Sequence, residues 1–273
     1  MLCLRHVEYK EGKFHGYVDV GSGTYTDTTP VAKDALVIMA VSLTEQWKIP
    51  IAYFLIDGLS GEERANLVNE AFIRLHNTGV RPISLTCDGP PCHFTMLRCL
   101  GVDTSVDTMD PTFPKHVDSS SRIPVFLDVC HMVKLLRNCF DDNGIIITED
   151  GREVRWQYVR ELVNLQEREG LRLANRLTKS HLQWRNQKMK VRLAVQVFSK
   201  SVADALTYCN ENLKLPQFEG CEATVEFIRH VNDVFDVLNS KNPLAQGTRA
   251  PLREDTFTSH QKILIDARNS FME

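Results

Sequence analysis

The sequence predicts an α/β chain in which a mixed sheet occupies the first half and helices dominate the second. Two observations carry this. Strand-type runs alternate with turn residues as far as Asp128, and from Cys130 onward the apolar spacing changes to the helical period of about 3.6 residues. Composition sets the class: of 273 residues, 43% are hydrophobic and 25% charged, which is globular and excludes collagenous, low-complexity or wholly disordered chains. The apolar runs Ala35 to Val41 and Ile49 to Ile56 fall well short of the roughly 20 residues that cross a bilayer. The N-terminus turns charged too early for a signal peptide, so a soluble intracellular protein with no membrane partner is expected.

Taken in order, Phe14 to Val20 reads as a first strand ended by Gly21-Ser22-Gly23, Ala35 to Leu43 as a second and Ile49 to Ile56 as a third. Short links make these an antiparallel meander. Ser60-Gly61-Glu62-Glu63 then opens a helix with Leu67, Val68, Ala71, Phe72 and Leu75 at helical spacing, closed by Gly79. Pro82 to Asp88 reads as a fourth strand, His93 to Leu100 as a helix, Asp103 to Arg122 as a polar loop and Ile123 to Asp128 as a fifth strand. Met132, Leu135, Leu136 and Phe140 form the apolar stripe of the next helix, with His131, Lys134 and Asn138 on another face. A hairpin through Ile145 to Ile147 and Val154 follows, then helical patterns over Trp156 to Glu169, Leu171 to Thr178, Asn186 to Asn210 and Ala223 to Leu238. Ser240 to Arg253, rich in Pro, Gly and Asn, reads as a loop.

The order β-β-β-α-β-α-β, a meander followed by parallel additions, is the pattern of an RNase H-like domain. It gives a domain over 1–139 and a mostly helical one over 140–273. A dinucleotide-binding reading fails, because the first Gly-rich turn leads into a strand where that fold needs a helix. Eight cysteines without paired C-x-x-C spacing read as reduced buried thiols, although Cys92-His93 and Cys130-His131 contain zinc-ligand types.

Asp19, late in the first strand, and Asp88, ending the fourth, are 69 residues apart. In an RNase H-like sheet those strands are neighbours, about 5 Å apart, which suits two carboxylates sharing metal ions. Paired Mg²⁺ ions held by hard oxygen ligands activate a nucleophile and stabilise the leaving oxygen of a phosphodiester. A structural role competes: Asp19 as a turn-flanking carboxylate, Asp88 as a cap before Gly89-Pro90-Pro91. Asp128 suits a helix N-cap. His131 and Lys134, one turn apart, suit either a phosphate backbone or a solvated helix face. Net charge is −3 and the pI about 6.3, so nucleic-acid binding needs a local patch. Arg152 to Arg192 supplies one, with eleven basic residues, Arg185, Lys188 and Arg192 among them, against four acidic ones, and with Trp156, Tyr158 and Trp184 interleaved. Solvated helix faces over aromatic core residues explain the same pattern.

The runs GYVDVG (16–21), ALVIMAVSL (35–43), WKIPIAYFLIDGLSGEERANLV (47–68), LTCDGPPCHFTML (85–97), VFLDVCHMVKLLRN (125–138), WQYVRELVNLQEREGL (156–171) and FIRHVNDVFDVLNSKNP (227–243) together resemble the P-element-type DNA transposases, above all those with an N-terminal THAP zinc domain. The resemblance implies an RNase H-like catalytic domain interrupted by a helical insertion that binds GTP in the P-element enzyme. It implies Mg²⁺- or Mn²⁺-dependent cleavage and strand transfer of DNA, transposon ends as partner, a nuclear location and a homo-oligomer in the full-length family. Carried over, the first two catalytic and metal-binding acids are Asp19 and Asp88. Asp233 resembles the insertion aspartate that reads guanine, with Asp236 as the alternative register. The family's third acid, a glutamate after the insertion, has no counterpart here, and the THAP motif is missing. The chain thus resembles an internal portion, expected to be inactive alone. The alternative is a domesticated, non-catalytic DNA- or nucleotide-binding module. An actin- or sugar-kinase-like phosphotransferase, prompted by V-D-V-G-S-G, lacks the second phosphate loop it requires.

Overall fold

A computed structural model describes residues 2–3, 7–10, 13–21, 28–105, 107–115, 118–173 and 175–271. Ser22 and Gly23 of the first glycine-rich turn lie outside the described residues. The chain divides into two compact units, Met1–Phe126 and Leu127–Glu273.

The first unit contains β1 (Leu2–Cys3), β2 (Glu8–Lys10), β3 (Lys13–His15), β4 (Asp34–Val41), β5 (Lys48–Ile56), α1 (Gly61–Asn77), β6 (Leu85–Cys87), α2 (Pro91–Leu100) and β7 (Thr112–Lys115), with β8 (Asp118–Leu127) at its end. The second and third strands form the expected antiparallel pair β4–β5, in register from Asp34↔Ile56 to Val41↔Lys48 with a bulge beside Ile38. The first strand departs from expectation. It is cut into β3, paired with β2, and single bridges at Tyr17 and Asp19. Gly16 and Gly21, both at positive φ, break the ladder here, as glycine in a strand tends to. The supposed loop before the fifth strand holds β7, which makes an antiparallel hairpin with β8, and the strand order there is β6-β8-β7.

Ser60 and Glu63 start α1 through a reciprocal capping box: Ser60 Oγ accepts from Glu63 N–H at 3.1 Å, and Glu63 Oε2 accepts from Ser60 N–H at 2.8 Å. Ala65, Val68 and Ala71 of α1 are buried with Met96, Leu97 and Leu100 of α2, Ile56 of β5 and Phe113 of β7. A β-carbon on Gly61 would lie 2.4 Å from Thr95 Cγ2 and 2.8 Å from Met96 N, so the two helices approach as closely as glycine permits. On β4 and β5 the outward side chains Val37, Met39, Val41, Ile51 and Tyr53 are exposed.

The second unit contains α3 (Val129–Asn143), the hairpin β9 (Ile145–Ile147) and β10 (Glu153–Arg155), α4 (Trp156–Glu169), α5 (Lys179–Leu182), α6 (Val191–Val197), α7 (Lys200–Thr207), α8 (Glu222–Leu238) and α9 (Glu254–Phe271). Asp128 caps α3, its carboxylate accepting from Cys130 N–H at 3.0 Å. Phe140 sits at the centre of the core, its ring centroid 5.2 Å from Trp156, 5.6 Å from Phe227 and 6.4 Å from Phe198. Two hydrogen bonds tie the ends of α4 and α8 to their surroundings: Arg155 N–H to Thr224 Oγ1 at 2.9 Å, and Tyr158 O–H to the Glu219 carbonyl at 2.7 Å.

Three expectations need correction. Residues 171–173 and 175–178 are not helical; Gln166 Oε1 accepts from Leu173 N–H and Asn175 Oδ1 from Leu177 N–H, so side chains satisfy the backbone in an irregular path. The segment 186–210 is not one helix. It breaks at a turn over 188–190 and again at Ser199, the N-cap of α7. The buried face of α3 is Val133, Lys134, Arg137 and Phe140, whereas Leu135, expected inside, is exposed.

Candidate functional site

Asp19 is held by its backbone. Its N–H donates to the Leu55 carbonyl at 2.8 Å and its carbonyl accepts from Leu55 N–H at 2.9 Å, while Oδ1 accepts from Gly21 N–H at 2.8 Å. The turn-flanking role weighed for Asp19 is therefore present. The described pairings place it beside β5, and β6 beside β8, so the expected adjacency of the Asp19 and Asp88 strands is not among them.

Asp88 follows directly on β6 and is half-buried. Its carbonyl is bonded to Nδ1 of His93 at 2.9 Å. Because a carbonyl only accepts, Nδ1 carries the proton. His93 is 7% exposed and Arg64, on α1, is 3% exposed. Burial first, with the Arg64 guanidinium adding to it, holds His93 below the usual imidazole range, against the opposing pull of the Asp88 carbonyl and carboxylate. Burial, helped by the Asp88 charge, pushes the neighbouring Cys87 thiol up to about 11, so in the unliganded chain it is protonated at neutral pH. Asp88, His93 and Arg64 border a groove of about 800 Å³ whose other walls include Leu36 to Leu43, Val68, Phe72 and Leu75.

Among the described residues no group of three or more histidine, cysteine, aspartate or glutamate side chains stands together as a metal-binding cluster. Of the cysteines, Cys209 and Cys221 are buried, Cys87, Cys92 and Cys130 half-buried, and Cys99 and Cys139 exposed, which corrects the expectation of uniformly buried thiols.

In the second unit Asp233 and Asp236 differ. Asp236 is committed to structure: it pairs with Arg249 Nε at 3.0 Å and accepts from Asn232 Nδ2 and Thr248 Oγ1, both at 3.4 Å. These bonds fasten the loop after α8. Asp233 is half-buried and accepts from Asn232 Nδ2 at 3.1 Å. It follows His230 by three residues on α8, and His230 with Arg152, Glu226 and Phe227 lines a cavity of about 490 Å³. Lys134, expected on a solvated face, is 9% exposed; only His131 of that pair reaches partial exposure. Arg185, Lys188 and Arg192 are exposed, with Arg185 paired to Asp142 at 2.8 Å.

Sequence reasoning missed Arg64 and Arg137, both buried in helices with polar-looking faces. It registered His93 only as a zinc-ligand type; the signal for its observed role is its five-residue spacing from Asp88 across Gly-Pro-Pro.

Comparisons with known proteins agree with this layout. Residues 1–101 match the family model described as TNP-like, RNase H N-terminal domain, and residues 130–251 the one described as TNP-like, GTP-binding insertion domain. The chain is 34% identical over 258 residues to the DNA transposase THAP9 of Homo sapiens, and 26% identical over 200 residues to the Transposable element P transposase of Drosophila melanogaster. These alignments cover 94% and 73% of this chain but 28% and 25% of the relatives. The fold is similar to that in the Drosophila P element transposase strand transfer complex, with a TM-score of 0.77 at 22% identity, covering 97% of this chain and 55% of that one. The first unit is RNase H-like within a mixed α/β fold.

Proposed function

The chain belongs to the P-element-type DNA transposase family, and from that premise we propose that it forms the first part of a DNA cleavage and strand-transfer centre joined to a nucleotide-contacting insertion. The observation that supports this best is the placement of Asp88. It ends β6, its backbone is pinned by His93, and it borders the large groove of the first unit. Asp88 and Asp19 are hard oxygen donors of the kind Mg²⁺ takes singly or in pairs while keeping several waters. When bound, the metal would supply activation of water or a 3′-hydroxyl and stabilisation of the leaving oxygen. The chain's own part is to hold the carboxylates in place. By the family pattern a third acid completes the site, so these two alone hold metal weakly and cleave poorly. Transposon-end DNA is the proposed substrate, the nucleus the proposed location and self-association of the full-length protein part of the reading.

In the insertion, Asp233 is the proposed guanine reader, because Asp236 is consumed by Arg249 and Thr248 while Asp233 has no ion pair among the described residues. An aspartate suits guanine because it accepts from the N–H edge of the base.

Calorimetric Mn²⁺ titration of the chain beside Asp19→Asn and Asp88→Asn tests the first part. Binding that disappears in both variants supports one shared site. Robust Mg²⁺-dependent nuclease activity lost in Asp88→Ala would overturn the expectation of an inactive chain. The competing reading, a non-catalytic DNA- or nucleotide-binding module, draws on the exposed Arg185, Lys188 and Arg192. It predicts no metal binding and DNA affinity indifferent to Asp19→Asn.

A further inference from the structure

We infer that His93 is the positioning residue for Asp88: its Nδ1–H, held on a buried and tightly anchored helix, fixes the Asp88 carbonyl and so sets where the Asp88 carboxylate is presented. This deepens the reading of Asp88 as a metal ligand and rests on it.

Asp88 is followed by Gly89-Pro90 and then α2. Neither proline has an N–H to give, and Pro90, the N-cap, offers no side-chain cap. The amides at positions 90 and 91, which often fasten a strand-to-helix junction, are therefore missing here. His93 supplies the bond from inside the helix, reaching back five residues to the Asp88 carbonyl at 2.9 Å. Its own N–H closes the first turn of α2 on the Pro90 carbonyl at 2.9 Å. The tether is only as rigid as the helix that bears it, and α2 is locked against α1 by the missing side chain of Gly61, where a β-carbon would strike Thr95 and the backbone of Met96. At 7% exposure, His93 loses little of this bond to water. Groups that orient a metal ligand from behind typically alter affinity by about 10- to 100-fold when removed.

The test compares His93→Leu, which removes the donor, with His93→Asn, whose side-chain N–H stands near the position of Nδ1. Two readouts are taken on the full chain: Mn²⁺ affinity by calorimetry, and amide hydrogen exchange of the turn from Asp88 to Cys92. The expected result is about 10-fold weaker Mn²⁺ binding and faster turn exchange in His93→Leu, with both restored toward the parent in His93→Asn and exchange in β4 and β5 unchanged in either. Parent-like exchange and affinity in His93→Leu overturn the inference. So does failure of His93→Asn to restore the turn while its β4 and β5 exchange matches the parent. Mn²⁺ binding unaffected by Asp88→Asn, or absent from the parent, overturns the metal reading of Asp88; the tether is then decided by the exchange data alone, lost if His93→Leu leaves the turn unchanged.

Discussion

At the scale of single residues, the most informative groups are those whose neighbours fix a protonation state. His181 is 2% exposed; its Nε2 lies 3.1 Å from Gln196 Oε1, and its Nδ1 3.0 Å from Thr178 N. Since Thr178 N–H must donate, Nδ1 accepts and Nε2 carries the proton, so the ring works as a neutral cap. Burial first, with Arg137 and Arg172 adding repulsion, holds its pKa below the ordinary histidine value, against the raising bonds of Gln196 and Thr178. The unfolded chain then binds the proton more readily than the folded one, so stability is complete above about pH 6.5 and falls as the pH drops toward the depressed folded value. Urea midpoints at pH 7.5 and 5.5 should show this loss, and His181→Gln should shrink the difference between them. A parent protein whose midpoint is unchanged or higher at pH 5.5 would contradict the assignment. Much of the site at this scale was legible. Asp88 at a strand end and Asp128 as a cap follow from residue type and spacing, whereas the preference for Asp233 over Asp236 came from the family resemblance. Buried Lys134 was not, because a lysine looks solvated in any helical projection and only the packed neighbours reveal which face is inside.

At the scale of elements, α4 falls over Trp156–Glu169 as its periodicity requires, and β4, β5 and α1 lie within two residues of their expected bounds. What escaped was hidden for identifiable reasons. β7 carries Pro114, which demotes a strand in any sequence reading but is tolerated at a sheet margin. α9 buries His260 and the small Ala267, so its inward stripe lacks the large apolar residues that mark a helix. The long helix expected over 186–210 has the right composition but is cut at Ser199, whose hydroxyl donates to the Gln196 carbonyl at 2.9 Å. The α1–α2 contact yields a sharp expectation. Gly61→Ala gains helix propensity of at most about 1 kcal/mol, yet the added carbon meets backbone as well as the Thr95 side chain, so overpacking of about 1–3 kcal/mol should win. Chemical denaturation of the variant measures the net loss. Thr95→Ala in the same chain should recover only part of it, because the backbone contact at Met96 stays.

At the scale of the whole molecule, charge is the property that sequence arithmetic overstated. The segment from Arg152 to Arg192 counts as strongly basic, but Arg152, Arg155, Arg168, Lys179 and Arg185 stand in ion pairs with nearby carboxylates. Such exposed pairs add little stability, yet they reduce the field that a nucleic acid meets. With the chain at −3 overall, DNA binding through Arg185, Lys188 and Arg192 should be weak, with a slope of log K against log salt of about −3 for three phosphate contacts. Reversing the three charges to glutamate should bring that slope toward zero, and a titration series in NaCl reads it directly; an unchanged slope would place the DNA contacts elsewhere. The outward face of β4 and β5 carries a different consequence. Val37, Met39, Val41, Ile51 and Tyr53 are large apolar side chains left exposed on this pair of strands. Encounters between two copies rise with the square of their concentration. An exposed apolar face of this kind therefore favours association between copies as their concentration rises.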